Sequence, residues 1–176
     1  MNTLKLLVGL FLRFFYQTPP EPIKPPTPPP MPEPVPLVET AAERLAEAAI
    51  AMLGTDVTRD DKVPDEVACV SSLVAVVPAE FGLSKKLTYT PLLVNALDNN
   101  DHFERVSVPR KGTIVVSPTQ GTNVGHCGIY VEDNQIASNN SKTGKWEVNY
   151  TRQSWIAYFG NKKQLRGYLF APVDTV

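Results

Sequence analysis

The sequence predicts an α+β domain in which N-terminal helices pack on a mostly antiparallel sheet of about five to six strands. Apolar residues recur with helical spacing between residues 38 and 98, whereas later runs are rich in β-branched and aromatic residues. Helices that precede strands in this way pack on an antiparallel sheet instead of alternating with parallel strands. A chain of 176 residues accommodates one such domain with attachments, but not two full domains.

Residues 1–17, MNTLKLLVGLFLRFFYQ, predict an apolar helix. Lys5, Gly9, Arg13 and Gln17 recur every fourth residue and form one stripe, while the other faces are mostly Leu, Val and Phe. A span of about 20 uncharged residues crosses a bilayer comfortably, so this shorter segment would depend on a snorkelling Arg13. We expect an uncleaved membrane anchor or signal anchor. The alternatives are an amphipathic helix lying on the membrane, a cleaved signal peptide, and a helix docked on another protein.

Residues 18–37 are expected to form a linker, because 11 of the 17 prolines lie there. Proline at this density excludes helix and sheet ladders and favours polyproline II. At about 3.1 Å per residue, the segment would reach up to about 60 Å. A ligand for an SH3 or WW domain is the alternative, since P-x-x-P occurs in it. The folded domain is therefore expected at residues 38–176.

Helix signals precede the sheet at three places. Thr40 and Glu43 form a capping box, and Gly54 supplies a C-terminal stop. Proline opens the two later segments near their first turns. The predicted helices run from Thr40 to Leu53, from Glu66 to about Val77 and from Thr90 to about Asp98, and a last helical segment follows Thr151.

Strand signals dominate the rest of the chain. The predicted strands are His102 to Val108, Thr113 to Ser117, His126 to Val131, Gln135 to Asn139, Lys145 to Tyr150 and Gln164 to Phe170. Asp133 and Asn134 separate the third run from the fourth and predict a two-residue hairpin turn.

Charge and the counts of cysteine and histidine exclude several functions. The chain has 17 Lys and Arg against 18 Asp and Glu, a net charge of −1, so nucleic acid is not an expected partner. The 2 cysteines cannot build a disulfide scaffold, and the 2 histidines cannot build a His-rich metal site. We expect neither a metal nor an organic cofactor.

Cys69 and His126 are the residues expected to carry chemistry. Cys69 lies in the first turn of the second predicted helix, where N–H groups and the helix dipole stabilise a thiolate and can receive an oxyanion. His126 starts a strand between glycines, which leave room for a second backbone or a substrate. Alone, each has a structural alternative, since free cysteine often fills cores and a strand histidine can simply bond locally. Together they are what a Cys–His nucleophile needs.

Four segments resemble the NlpC family of cell-wall cysteine peptidases and its CHAP relatives. They are LAEAAIAMLG, ACVSSLV, GTIVVSP and GHCGIYVEDNQIASN, in the family's order and spacing over roughly residues 39–172. The resemblance implies a papain-like fold in which the cysteine opens a helix and a Gly-His strand carries the base. A polar residue on the next strand orients the imidazole. It thus implies Cys69 as the nucleophile and His126 as the base.

The register of the predicted hairpin selects a third catalytic residue. A two-residue turn at Asp133 and Asn134 places His126 opposite Ser141. Odd-numbered side chains of the next strand then share the face of His126. Asn139 is therefore the polar group expected to accept the imidazole Nδ1–H.

A one-residue bulge would change this parity and give the role to Ser138 or Asn140. By the same alternation, Cys127 is expected to point away from His126 and into the core. A disulfide between Cys127 and Cys69 would bury the nucleophile and is not expected.

The residues and the resemblance together predict a membrane-tethered cysteine hydrolase that cleaves amide bonds in peptidoglycan stem peptides. Its expected partners are peptidoglycan and, through residues 1–17, the membrane, with the domain facing the periplasm or the cell wall. One alternative is a catalytically inactive papain-like domain that binds the cell wall or an assembly partner. The other is a different papain-like chemistry, such as acyl transfer or the cleavage of proteins.

Overall fold

The computed structural model describes residues 39–58 and 68–174 of the chain. The predicted anchor at residues 1–17, the predicted linker at residues 18–37 and the predicted helix start at Glu66 lie outside the described residues. Within the described ranges, no helix combines the length and the apolar character that crossing a membrane requires.

The described residues have the predicted α+β class, with four α-helices and one six-stranded antiparallel sheet. The helices are α1 (Ala41–Ala51), α2 (Cys69–Val76), α3 (Thr90–Asp98) and α4 (Arg152–Trp155); a π-helix over Ile156–Lys162 continues α4, and a 3₁₀ helix covers Ala79–Phe81. The strands are β1 (Phe103–Arg105), β2 (Ile114–Ser117), β3 (His126–Glu132), β4 (Gln135–Asn140), β5 (Lys145–Thr151) and β6 (Tyr168–Pro172). Their order across the sheet is β1-β6-β2-β3-β4-β5.

Helix α1 begins where the sequence predicts, because its capping box is formed. The Glu43 N–H donates to the Thr40 hydroxyl at 3.2 Å, and the Thr40 N–H donates to the Glu43 carboxylate at 2.8 Å. Leu45 on the inner side of the helix is fully buried. The loop before β2 approaches the small residues of α1 closely, since a Cβ on Gly112 would lie 2.2 Å from the Ala42 carbonyl oxygen.

Both faces of the sheet are covered, and their cores differ. Helices α1, α2 and α3 cover the helix-packed face, whose buried residues include Leu45, Leu73, Leu93, Ile129, Trp146 and Phe170. Helix α4 and the π-helix contribute to the core of the opposite, aromatic face, which contains Val115, Tyr130, Ile136, Trp155, Phe159 and Leu165. Successive residues of a strand therefore enter different environments, and a one-residue change of register moves a side chain from one core to the other.

The β3–β4 hairpin has the predicted two-residue turn, but its register shifts beyond it. Glu132 pairs with Gln135 across the turn, as predicted. A bulge follows, so that Ile129 pairs with Ala137. Even-numbered residues of β4 consequently share the sheet face of His126, whereas the sequence predicted odd-numbered ones.

Strand β6 begins at Tyr168 and not at Gln164, where the sequence placed it. Gln164 has a φ of 54°, in the left-handed region, and comes directly after the π-helix and its C-terminal residue Lys163. A residue with this backbone conformation does not continue an antiparallel strand. The first strand is likewise shorter than predicted, at Phe103–Arg105.

Candidate active site

Cys69 is the first residue of α2 and lies partly exposed in a cleft. The Ser72 N–H donates to the Ala68 carbonyl at 2.8 Å, so the helical hydrogen bonds begin there. The N–H groups of Cys69 and Val70 precede this bond and have no acceptor within the helix. Ala68, at the N-cap, forms no side-chain cap. A thiolate or an oxyanion at Cys69 therefore meets backbone donors and the positive end of the helix dipole.

Neighbouring groups hold the pKa of Cys69 well below the ordinary thiol value. The largest cause is a hydrogen bond with the Cys127 thiol; the hydrogen bond and charge of His126 and the Val70 N–H act in the same direction. Burial opposes them. The thiolate, which is the nucleophilic form, is thus favoured at a lower pH than in a free cysteine.

Cys127 lies on the helix-packed face of β3, as predicted, and is fully buried. Its thiol donates to the Cys69 carbonyl oxygen at 3.2 Å. Burial and the adjacent Cys69 raise the pKa of Cys127 well above the ordinary thiol value. Both cysteines are free thiols. Cys127 therefore remains protonated behind Cys69.

Aromatic side chains hold the His126 ring on the opposite face of β3. The ring stacks on Trp155 and Phe159 with centroid distances of 5.6 Å in both cases, and the Tyr150 ring meets it edge-on at 5.8 Å. The Trp155 Nε1–H donates to the Ser117 hydroxyl at 3.0 Å and so ties this cluster to β2. These contacts restrict rotation of the imidazole and set the directions of its two nitrogens.

A chain of two hydrogen bonds determines which nitrogen of His126 carries the proton. The Ser138 hydroxyl oxygen lies 2.9 Å from His126 Nε2 and donates its own proton to Asn149 Oδ1 at 2.6 Å. Because that proton goes to Asn149, Ser138 accepts from His126, and Nε2 carries the hydrogen. Nδ1 is then the unprotonated nitrogen and can receive the proton of the Cys69 thiol.

The structure places Ser138, and not the expected Asn139, within hydrogen-bond distance of the His126 ring. Asn139 pairs with Trp146 of β5 and is buried on the helix-packed face, although it also lines the cleft. The β3–β4 bulge is the cause, and it gives the orienting position to Ser138, as expected for a one-residue shift. The contact is made at Nε2 of the ring, whereas the sequence-based expectation placed it at Nδ1.

Asn149 is a residue of the candidate site that the sequence did not indicate. The β4–β5 register shifts between Ile136, which pairs with Tyr150, and Ala137, which pairs with Val148. Asn149 is thus the extra residue of a second bulge, and both Asn149 and Tyr150 reach the aromatic face. Periodicity does not reveal a bulge; the available signal was a polar side chain within an alternating strand.

Cys69 and His126 line one open cleft of about 600 Å³. This volume is in the range of sites that bind small molecules. Its walls come from the loop before α3, the loop before β3, the β4–β5 turn and the π-helix. Besides residues of the His126 cluster, the wall residues include Thr88, Tyr89, Thr90, Thr119, Val124, Gly125, Asn139, Asn140, Ser141, Lys142, Tyr158 and Lys163.

Lysines, and no carboxylates, line the described part of this cleft. Lys163 Nζ donates to the Val124 carbonyl at 2.8 Å and lies 5.1 Å from the centre of the Tyr158 ring. Lys142 stands on the β4–β5 turn. A negatively charged group therefore meets a favourable local potential here, although the chain as a whole has a net charge of −1.

The glycines beside His126 accommodate neighbouring backbone. A Cβ on Gly125 would lie 2.1 Å from the Ser117 carbonyl oxygen, and a Cβ on Gly128 would lie 2.7 Å from the Ala137 carbonyl oxygen. The sequence left open whether these glycines make room for a second backbone or for a substrate. The structure supports the close approach of a second backbone.

A thiol at a helix N-terminus, beside an imidazole held in one orientation, is the arrangement of a Cys–His nucleophile. Within residues 39–58 and 68–174, no group of three or more His, Cys, Asp or Glu side chains is arranged to hold a metal ion. No protein-family model matches the chain, and no curated protein matches it. A function for this chain therefore has to be derived from the chemistry of the cleft.

Proposed function

We propose that the chain is a cysteine hydrolase that cleaves amide bonds in peptidoglycan stem peptides. The observation that carries the proposal is the position of Cys69 at the start of α2, in one cleft with a His126 ring whose Nε2 bonds to Ser138. This arrangement leaves Nδ1 to take the thiol proton. The resemblance of the four segments to the NlpC and CHAP families supports stem-peptide amides as the substrate.

A papain-like fold is part of the same proposal. Three features support it: a cysteine-bearing helix packed on an antiparallel sheet, a histidine that starts a central strand, and a polar side chain on the next strand that bonds the imidazole. The second hydrogen bond, from Ser138 to Asn149, extends this set to the edge strand β5.

Acylation begins when the Cys69 proton moves to His126 Nδ1, giving a thiolate and an imidazolium. The thiolate attacks the amide carbon, and the N–H groups of Cys69 and Val70 donate to the oxyanion that forms. The C–N bond then breaks, and His126 gives its proton to the leaving amine. The bond from Nε2–H to Ser138 keeps the ring in one orientation throughout these steps.

Deacylation repeats the sequence with water as the nucleophile. His126 Nδ1 accepts a proton from water, and the hydroxide attacks the thioester carbon. The C–S bond breaks, His126 returns its proton to the Cys69 sulfur, and the new carboxylic acid leaves and ionises in water. Both half-reactions need one unprotonated nitrogen facing the cleft, which the bond to Ser138 provides.

The N-terminal segments are proposed to keep the domain beside its substrate. Residues 1–17 would anchor the chain in the membrane, and residues 18–37 would act as a spacer of up to about 60 Å. Since peptidoglycan lies outside the cytoplasmic membrane, the domain would face the periplasm or the cell wall. The anchor and the hydrolase are separate proposals and can fail separately.

Digestion of purified sacculi with the full-length protein in detergent tests the hydrolase. Mass analysis of the released muropeptides should show shortened stem peptides in which each cleaved amide has become an amine and a carboxylate. Cys69→Ala should abolish these products, because the nucleophile is gone. Ser107→Ala, at an exposed serine that does not line the cleft, should leave them unchanged.

Unchanged muropeptides with folded wild-type protein would overturn the hydrolase. If that protein still sediments with sacculi, the inactive binding domain becomes the better account. Cleavage of proteins, or transfer of the acyl group to an amine, would instead support a different papain-like chemistry.

A further inference from the structure

Cys127 lies directly behind the proposed nucleophile Cys69, and the hydrolase mechanism gives it no role. The Cys127 sulfur lies 3.2 Å from the Cys69 carbonyl oxygen, although the residues are 58 positions apart in sequence. Cys69 is partly exposed in the cleft, whereas Cys127 is fully buried in the core. The pair thus joins an accessible thiol to an enclosed one.

We propose that Cys69 and Cys127 form a peroxide-responsive thiol pair, whose disulfide reversibly inactivates the enzyme. The loss of activity rests on the proposed hydrolase function, because Cys69 is its nucleophile. Formation of the disulfide does not rest on it, since the disulfide needs only the two thiols and an oxidant.

The chemistry proceeds in two balanced steps with a hydroperoxide as the oxidant. The Cys69 thiolate attacks one peroxide oxygen and breaks the O–O bond; Cys69 becomes a sulfenic acid, and hydrogen peroxide is reduced to hydroxide. The Cys127 sulfur then attacks the Cys69 sulfur, and the S–O bond breaks. The oxygen leaves as water with the proton of Cys127, so two thiols and one hydrogen peroxide yield one disulfide and two waters.

The difference in exposure between Cys69 and Cys127 determines which sulfur reacts with the peroxide and which one closes the disulfide. Peroxide reaches Cys69 from the cleft, where its thiolate form makes it the oxidisable sulfur. The buried Cys127 is enclosed by β3 and its core neighbours, so it attacks only a partner already in contact with it. This arrangement favours a bond within the chain over a bond between chains.

The observed contact suits a disulfide sterically. A disulfide requires α-carbons about 4.4 to 6.8 Å apart. A sulfur already within hydrogen-bond distance of the Cys69 main chain is compatible with that spacing. Closing the bond would remove the hydrogen bond to the Cys69 carbonyl and would turn the Cys69 sulfur from the cleft toward the core.

Intact-mass analysis of the reduced full-length protein in detergent tests the pair. After treatment with hydrogen peroxide, the protein should lose the mass of two hydrogens and react with no iodoacetamide when denatured. Peptide mapping should join the Cys69 peptide to the Cys127 peptide. Dithiothreitol should restore the original mass, two alkylatable thiols and the full turnover of the untreated enzyme.

Cys127→Ser is the matched control, because serine keeps a donor for the Cys69 carbonyl but cannot form the disulfide. Its Cys69 should instead gain two oxygens as a sulfinic acid, and dithiothreitol should not reverse this. If the serine variant does not fold, Cys127→Ala replaces it as the control and should give the same irreversible product.

Two results would overturn the pair: a wild-type Cys69 that reaches the sulfinic acid while Cys127 stays alkylatable, or a disulfide formed between chains. The hydrolase proposal is tested by a different measurement, the release of shortened muropeptides. A disulfide that forms in a chain without hydrolase activity would leave the thiol pair intact and remove the hydrolase.

Discussion

The behaviour of His126 depends on a single hydroxyl proton. Ser138 donates this proton to Asn149 and is therefore an acceptor for the Nε2–H of His126. Without the hydroxyl, both neutral tautomers of the ring become available, and only the one with an unprotonated Nδ1 can take the Cys69 proton. The tautomer of His126 is thus controlled from β4 and β5, the two strands that follow β3 in the sheet.

Ser138→Ala should lower kcat by about tenfold or more and change KM less. The variant removes the group that orients the histidine, whereas the contacts with the substrate remain. Asn149→Asp should retain more activity than Asn149→Ala, since a carboxylate accepts the same proton. Steady-state turnover on one muropeptide measures this, with circular dichroism to confirm folding and Ser107→Ala as the control. A severe defect in Asn139→Ala beside a silent Ser138→Ala would contradict the observed register.

The two thiols should differ in their alkylation by iodoacetamide as the pH changes. The pKa of Cys69 is lowered, so its thiolate persists, and its alkylation remains fast, as pH falls below the ordinary thiol value. The pKa of Cys127 is raised, so this thiol should stay unreactive over the same range until the protein unfolds. Peptide mapping after timed alkylation distinguishes them. Equal rates, or faster labelling of Cys127, would remove Cys69 from the role of nucleophile.

The same shift couples folding to pH. Since the folded protein favours the Cys69 thiolate, this group stabilises the fold above the thiol pKa of the unfolded chain. The contribution is lost as pH falls through the lowered pKa of the folded state. Cys69→Ala should therefore flatten the pH dependence of the free energy of unfolding in that window.

At the scale of elements, local signals predicted the helices and strands, and pairing between strands determined the rest. A capping box, glycine stops and β-branched runs are local, and they placed α1, the β3–β4 turn, Cys69 and His126 correctly. The bulges in β4–β3 and β4–β5 arise from how neighbouring strands fit, which no single strand encodes. For this reason the sequence predicts Ser138 only as an alternative to Asn139 for orienting His126, and it does not indicate Asn149 at all.

Gly125→Ala should destabilise the domain, because its Cβ would overlap the Ser117 carbonyl oxygen at 2.1 Å. Overpacking of this kind costs about 1–3 kcal/mol of the free energy of unfolding. Gly167→Ala is the matched control, since a Cβ there meets nothing within 4 Å. Chemical denaturation of both variants measures the difference. Equal stabilities of the two variants would mean that the backbone at Gly125 can shift to accept a Cβ. The close approach of β2 would then not explain why a glycine stands at this position.

At the scale of the whole molecule, membrane attachment should be apolar and insensitive to salt. Residues 1–17 carry two cations among mostly Leu, Val and Phe, and the chain has a net charge of −1. The full-length protein should therefore remain in the membrane fraction after a high-salt wash, and a variant lacking residues 1–17 should be released. An intact chain that is recovered in the soluble fraction would disprove the anchor.

The hydrogen-bonded residues around His126 lie close together in sequence, whereas the proposed nucleophile Cys69 lies far from them in the chain. His126 bonds to Ser138, 12 positions later, and Ser138 bonds to Asn149, 11 positions further along. Cys69 and Cys127, by contrast, are 58 positions apart. Short loops close at lower entropic cost, so we expect the β3–β4–β5 meander to form before α2 docks on it. Until that docking, Cys69 is an ordinary cysteine without its imidazole or its buried thiol neighbour. The reactivity of its sulfur is therefore also a measure of whether the chain has finished folding.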